Sequence, residues 1–318
     1  MLANIKKTAK AVNLPFSMRL ITHTDLDGVM CAALLCSVEQ VDEVKFIDPA
    51  TIQAGTMRIG RNDILSDLPY DARAGMWFDH HASSAPKEGR KFEGAFAIAP
   101  SAARVIFDYY ENPFLEKYRQ ALEEVDKIDS GQVPLEQARK PTGWFLLSNT
   151  LETDAPKKED DEYRRLVIGL IRKNPDIGAI LAEPPVAARA AQVGAQLEKF
   201  GQILSEHTKM MGTVAYSDLR GRPDLPRGNN YLVYALFPSA RTSVRLLPSE
   251  DDEELCKISV GHNIYGKKSA FDVGAAMKRI GGGGHAPVGG ASVRAEKAEE
   301  IALKLVEEIN RFQEKERE

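Results

Sequence analysis

Between Ser17 and Ala82 the chain sets three short apolar runs, Met18–Thr22, Val44–Ile47 and Met76–Phe78, among segments of helix or turn composition. A fourth run, Asp63–Leu65, is shorter still. Such runs are too brief for helices, and their alternation with helical stretches predicts an α/β domain whose parallel sheet is covered on both faces. Ligands of such sheets sit beyond the carboxyl ends of the strands, so the residues that close each run are the first candidates for chemistry.

The rest of the chain extends this frame. Pro100 and Ser101 start a helix through Tyr110, and Leu115, Tyr118, Leu122 and Val125 space one buried stripe of a second. Leu122, Asp126 and Asp129 share a face of that second helix, which can therefore carry a carboxylate toward the sheet. After Pro184 and Pro185, apolar residues from Val186 through Val193 and Phe200 to Leu204 recur at intervals of four and three, the pattern of a long amphipathic helix. Beyond it, Tyr231–Phe237, Thr242–Leu246 and Lys257–Val260 read as strands, followed by a short helix over 272–280 and a charged tail helix after Ala295 with a frayed end. The expected architecture is a parallel-sheet catalytic domain over 1–183, a connecting helix over 184–208, and a smaller α+β domain over 209–318. A length of 318 residues is more than one hydrophobic core usually covers.

Charge and cysteine content narrow the function. A net charge of -4 gives no global attraction for nucleic acid, so a polyanionic substrate must be gripped by few local groups, which favours short ones over a stable complex with long nucleic acid. Cys31, Cys36 and Cys256 are odd in number and lack metal-binding spacing, as expected of reduced thiols in the core. The N-terminal MLANIKKTAK lacks the apolar stretch of a signal peptide, and nowhere do eighteen apolar residues run together. The expected location is cytoplasmic, with no membrane partner.

Five of the six histidines fall in short clusters with carboxylates or glycines. The segment Thr22-His23-Thr24-Asp25-Leu26-Asp27-Gly28 offers three ligand types in five residues where a strand gives way to an apolar helix. If it is extended, His23, Asp25 and Asp27 project to one side, and Gly28 permits the turn that follows. An acidic turn with an N-capping aspartate is the competing reading. Asp79-His80-His81 closes the Met76–Phe78 run, and two such clusters at neighbouring strand ends are hard to explain without a metal. Asp67 ends the Asp63–Leu65 run, and Asp126 or Asp129 ends the second helix. Imidazole and carboxylate donors without thiolate suit Mn²⁺ or a similar divalent ion rather than a structural zinc. Two such ions about 3.5–4 Å apart stabilise an in-line phosphoryl displacement.

His23-x-Asp25-x-Asp27-Gly28, the isolated Asp67 and the literal Asp79-His80-His81 resemble the DHH phosphoesterase family. The resemblance implies that His23, Asp25, Asp27, Asp67, His80 and Asp126 ligate two Mn²⁺ ions, with Mg²⁺ or Co²⁺ as alternatives. It further implies that Asp67 bridges, that His81 faces the substrate phosphate, and that Asp79 orients the neighbouring histidines. Asp129, one turn on from Asp126, competes for the same role.

At the other end of the chain, Ile280-Gly281-Gly282-Gly283-Gly284-His285 leads through Ala286 and Pro287 to Gly289-Gly290, and it resembles the Gly-Gly-Gly-His motif of the DHH-associated C-terminal domain. In that family the domain holds the substrate, which implies roles for Gly282, Gly283, Gly284 and His285, with Arg241, Arg245, Lys267, Lys268 and Arg279 nearby. Relatives often carry an Arg-Ser pair in the preceding strand; here Ile258-Ser259-Val260 leads instead into Gly261-His262-Asn263. His262 can replace the arginine contact or be an ordinary loop histidine. The expectation is a metal-dependent hydrolase of short phosphodiesters or nucleotide phosphates, similar to nanoRNases or to phosphatases of 3'-phosphoadenosine 5'-phosphate, and compatible with a homodimer. An exopolyphosphatase or pyrophosphatase could use the same centre, and a regulatory protein that binds nucleotide without turnover is the reading from another class.

Overall fold

The computed structural model describes residues 17–316, apart from 88, 152, 154, 155, 223, 224, 227, 250, 251, 267 and 268. The N-terminal segment read above for a signal peptide, the Lys267-Lys268 pair and the last two residues of the tail lie outside the described residues. The chain divides into two compact units, Met1–Val133 with Thr142–Ala191, and Pro134–Pro141 with Gln192–Glu318.

The first unit opens with β1 (Met18–Thr22), α1 (Leu26–Val38), β2 (Val41–Phe46), α2 (Pro49–Gln53), β3 (Asp63–Ser66), β4 (Met76–Asp79) and β5 (Gly94–Phe96). All five strands run parallel in the order β2-β1-β3-β4-β5. The strand period sends neighbouring residues to opposite faces. Leu20, Ile64 and Phe78 enter one core with α1, while Ile21, Leu65 and Trp77 enter another with Ile47, Ile52 and Leu68. Truncating Leu20, wholly buried, to alanine would cost about 2–5 kcal/mol. Helix α1 is apolar on every side because it is buried from Leu26 through Leu35.

Helices α3 (Ala102–Tyr110) and α4 (Arg119–Asp129) follow. Ser101 caps α3, its hydroxyl accepting from the Arg104 amide, and this matches the start expected at Pro100-Ser101. Then come α5 (Leu135–Arg139), which belongs to the second unit, α6 (Gly143–Thr150), α7 (Lys157–Lys173) and α8 (Ile177–Ala182). The long helix expected after Pro184-Pro185 is α9 (Pro184–His207), and the division between the units falls inside it.

In the second unit, β6 (Thr208–Met211), β7 (Val214–Asp218), α10 (Leu232–Leu236), β8 (Thr242–Pro248), β9 (Leu255–His262), α11 (Val273–Arg279), β10 (Gly283–His285), β11 (Val288–Arg294) and α12 (Ala295–Lys315) build a mixed sheet ordered β10-β11-β9-β8-β7-β6. Leu305, Val306 and Ile309 of α12 and Met277 of α11 pack on Val244, Leu246 and Ile258 of one sheet face. The run Tyr231–Phe237, expected as a strand, is the helix α10. An apolar run of that length carries no periodicity that separates the two, and its packing against Leu197, Phe200 and Leu204 of α9 decides the outcome. Among the described residues no helix is long and apolar enough to cross a membrane, and Cys31, Cys36 and Cys256 are unpaired thiols.

Candidate metal centre

Strand register fixes the site. Thr22 pairs with Ser66 across β1 and β3, and Ser66 with Phe78 across β3 and β4, so three strands end level and release His23, Asp67 and Asp79-His80-His81 side by side. The ligand atoms of His23, Asp25 and Asp67 lie within 4.8 Å of one another, as do those of Asp67, Asp79, His80 and His81, and those of Asp27, His80 and Asp129. Asp67 is common to two of these groups. It adopts φ 55°, a left-handed conformation that few side chains other than Asp and Asn adopt readily, and this turns its carboxylate into the cluster.

Asp25 and Asp27 do not sit on an extended segment. Asp25 is the N-cap of α1, accepting from the Gly28 amide at 3.0 Å, and Asp27 lies in the first helical turn. The capping reading thus describes Asp25, whose other oxygen lies 2.8 Å from His23 Nδ1. Gly28 is needed for close approach, since a Cβ there would lie 2.3 Å from the His23 carbonyl oxygen. Asp27 is wholly buried and takes amide hydrogen bonds from Ala102 (2.6 Å) and Ala103 (2.9 Å), the first residues of α3. This anion sits at a helix N-terminus, where unsatisfied amides favour it.

The two histidines divide inward and outward. His80 Nδ1 faces the Ala99 carbonyl at 3.0 Å, which aims Nε2 at Asp129 (3.3 Å), Asp67 (3.7 Å) and Asp27 (3.8 Å). His81 Nδ1 meets Asp79 Oδ1 at 2.9 Å, and the same oxygen accepts the His80 amide at 2.8 Å. The His80 side chain is 10% exposed and that of His81 37%, so only His81 has substantial access to solvent.

The helix α4 offers two carboxylates with different partners. Asp126 accepts from Ser101 Oγ (2.6 Å) and from both Nε (2.9 Å) and Nη2 (2.7 Å) of Arg104. Asp129, one turn later, points into the cluster. The sequence expectation of Asp126 as the ligand therefore meets a carboxylate already engaged by α3, and its competitor Asp129 is the one brought beside His80. Arg164 of α7 adds a support that no local pattern signalled: its Nε donates to the Thr24 carbonyl at 2.7 Å, inside the His23–Asp27 segment.

Both oxygens of Asp67, Oδ2 of Asp79 and Nε2 of His80 are buried without a hydrogen-bond partner among the described residues. Buried polar atoms are rarely left so, and four converging orphans of metal-ligand type fit a site for divalent cations.

No family profile and no curated protein matches the sequence. Solved structures do. The pGpG-specific phosphodiesterase PggH of Vibrio cholerae aligns with a TM-score of 0.76 at 28% identity, over 93% of this chain and 100% of its own. RecJ of Thermus thermophilus, in complex with Mn²⁺, aligns with a TM-score of 0.57 at 13% identity, over 93% of this chain and 52% of its own. An exonuclease RecJ bound to manganese aligns with a TM-score of 0.51 at 12% identity, over 93% of this chain and 90% of its own. PggH and RecJ are both DHH-family phosphoesterases. The likeness to them supports a DHH phosphoesterase.

At this site the crowded carboxylates perturb one another. Burial, with the charge of Asp25, pushes the Asp27 carboxyl up to about 7. Burial, with the charges of Asp27 and Asp25, pushes Asp129 up to about 9 and Asp67 well above the carboxylate range. Burial opposes a charge on His23, but Asp25 and Asp67 outweigh it and push the imidazole up to about 11. The carboxyls raised in this way are those on which a bound cation would displace a proton.

Residues expected to bind substrate lie in the second unit. His262 spends both ring nitrogens internally, Nδ1 with Thr242 Oγ1 at 2.9 Å and Nε2 with the Phe271 carbonyl at 2.8 Å. The glycine run is not an open loop: Gly283 and His285 lie in β10, and a Cβ on Gly282 or Gly284 would fall 2.2 or 2.4 Å from Gly290 O or Gly289 Cα of β11. Gly283 has open space at that position, and His285 is exposed.

Proposed function

We propose that this chain is a DHH phosphoesterase that hydrolyses short linear oligonucleotides, foremost a 5'-phosphorylated dinucleotide of the pGpG kind. Its centre would take two divalent ions, Mn²⁺ before Mg²⁺ or Co²⁺, on His23, Asp25, Asp27, Asp67, His80 and Asp129. The carrying observation is the set of orphaned buried donor atoms of Asp67 and His80 at three level strand ends. Asp129 takes the place expected of Asp126 because Arg104 and Ser101 already occupy the latter. Asp67, common to two ligand groups, is suited to bridge.

Such ions supply Lewis-acid charge to a phosphoryl group and lower the pKa of a bound water. The chain's own residues then position and polarise. Asp79 holds the His81 ring through Nδ1, and this ring is the more exposed of the two imidazoles, which suits it to face a phosphoryl oxygen. Asp79 also ties the amides of His80 and His81. The α3 amides fix Asp27, and the Ala99 carbonyl fixes the tautomer of His80.

Substrate length rests on the comparisons. The likeness to PggH runs through that whole chain, whereas it spans about half of the Thermus thermophilus RecJ. Treatment with EDTA should abolish mononucleotide release from pGpG, and Mn²⁺ should restore it, with tripolyphosphate spared. Turnover that ignores chelation, or none in either state, overturns the proposal. Phosphate release from tripolyphosphate alone would reassign the centre to phosphoanhydrides.

A further inference from the structure

The strands of the first unit are parallel, so all of them enter the sheet from one edge and leave it at the other, where the metal centre lies. Arginines and lysines gather at the entry edge. Arg19 is the second residue of β1, Arg58 and Arg61 precede β3, Arg73 precedes β4, and Arg90 and Lys91 precede β5. Backbone contacts set these positions side by side. Arg19 Nη2 donates to the Arg58 carbonyl at 2.9 Å, a Cβ on Gly75 would lie 2.0 Å from the Arg61 carbonyl oxygen, and the Trp77 amide donates to the Glu93 carbonyl at 2.9 Å. β3 has four residues, so the two edges lie roughly 13 Å apart.

The acids of this edge are engaged, and most of its cations are not. Asp63 accepts from Nε and Nη2 of Arg19, Asp71 accepts from the same two atoms of Arg73, and Glu93 accepts from the Tyr109 hydroxyl at 3.2 Å. Arg58, Arg61, Arg90 and Lys91 are exposed and enter no ion pair among the described residues, and exposed Lys87 joins them through a turn in which its carbonyl accepts from the Arg90 amide at 3.1 Å. The Arg90 guanidinium is seated 4.8 Å from the centroid of the half-buried Tyr70 ring, with the half-buried ring of Phe92 5.9 Å from that of Tyr70. The exposed large apolar side chains among the described residues lie elsewhere, so the edge lacks the anchors of a surface that inserts into a membrane. On a chain of net charge -4 this is a local excess of positive charge.

We propose that this edge binds the phosphate backbone of a single-stranded nucleic acid, apart from the metal centre. Guanidinium N–H groups match phosphate oxygens in geometry as well as charge. Cations interleaved with partly exposed rings are the composition of surfaces that track a single strand. The position also keeps the strand away from the carboxylates at the opposite edge, which would repel it. Each phosphate neutralised on a single strand contributes about -0.7 to the salt slope, so five contacts predict an affinity that falls roughly 100-fold between about 50 and 200 mM salt. Such a hold is loose and reversible. It goes beyond the hydrolysis of short substrates and does not rest on it.

The test uses the full chain under EDTA, so that no hydrolysis intervenes, and follows the fluorescence anisotropy of a labelled oligouridylate about four times longer than the number of contacts over a series of salt concentrations. The native chain should bind it with the steep salt dependence given above. The triple variant Arg58→Gln, Arg61→Gln, Lys91→Gln should bind at least tenfold more weakly at low salt, with a slope shallower by about 2. A second triple variant, Lys297→Gln, Lys304→Gln, Lys315→Gln, removes the same charge from exposed positions of α12 and should bind as the native chain does. A native chain that does not bind the strand, a first variant that binds it undiminished, or equal losses in both variants overturns the surface. Tighter retention of the native chain on phosphatidylserine vesicles than on the strand, at one ionic strength, overturns the nucleic-acid reading in favour of a membrane. Turnover of pGpG with Mn²⁺ should be the same in the first variant as in the native chain; a loss matching that of strand binding would put these residues on the path to the metal centre and overturn a separate surface. If the first variant does not fold, the native salt series still decides.

Discussion

The Asp129 carboxylate lies 3.3 Å from His80 Nε2, while Asp126, one turn earlier on α4, is held by Arg104. The two aspartates therefore separate experimentally. Asp129→Asn should reduce Mn²⁺ affinity and turnover by more than the 10–100-fold typical of a residue that only supports a ligand. Asp126→Asn should fall at or below that range, since it loosens the docking of α3 on α4 without deleting a donor. Calorimetric Mn²⁺ titration of both variants checks this, and equal losses would return Asp126 to the ligand set.

Asp67→Asn should uncouple stability from activity. Asparagine tolerates the left-handed backbone at this position, and the substitution removes a buried carboxylate crowded by Asp27 and Asp25. The chelated variant should melt a few degrees above the parent, corresponding to about 1–2 kcal/mol, and have no Mn²⁺-dependent turnover. A melting temperature below that of the parent would contradict this account.

The metal-free protein should lose stability as pH rises. Asp27 at about 7 and Asp129 at about 9 keep protons in the folded state that the unfolded chain releases near 4. His23, raised to about 11, likewise binds a proton more tightly when folded. For each, the stabilisation is complete below the unfolded value and is lost as pH rises toward the folded one. His80, lowered by burial, opposes them. Melting in EDTA should drop by roughly 5 °C or more between pH 5.5 and 9, and Mn²⁺ should flatten or reverse that slope by taking the place of the protons.

Gly28→Ala places a methyl group 2.3 Å from the His23 carbonyl oxygen. The backbone must shift, at a cost of roughly 1–3 kcal/mol, and the shift would move His23 and Asp25 together. Turnover should fall much further than stability does, measured as kcat against Tm. A variant with native kcat would show that the segment bends without disturbing the ligands.

What the sequence made legible were features carried by neighbouring residues. β1 and β3 are each followed directly by a residue of the site, His23 and Asp67, and β4 ends in Asp79, so strand ends and chemistry could be read together. β5 has three residues, Gly94–Phe96, too few for an alternation to register. Asp126 and Asp129 share a helix face in sequence, and what distinguishes them is Arg104, on another helix. The support of Thr24 by Arg164 spans 140 residues and had no local signal at all. Sequence alone left His262 open between a substitute for the arginine contact of relatives and an ordinary histidine, because its nitrogens' partners, Thr242 and Phe271, lie on other segments.

The left-handed backbone of Asp67 leaves this position almost no room to vary. Sterics there admit glycine, asparagine and aspartate with little strain, while the proposed pair of cations would demand a negative side chain of short reach. Only aspartate passes both filters. Glutamate, the usual conservative exchange, would keep the charge and violate the backbone; asparagine would keep the backbone and lose the charge. A sequence that departs from aspartate at 67 thus declares, from that residue alone, that its centre has changed occupation.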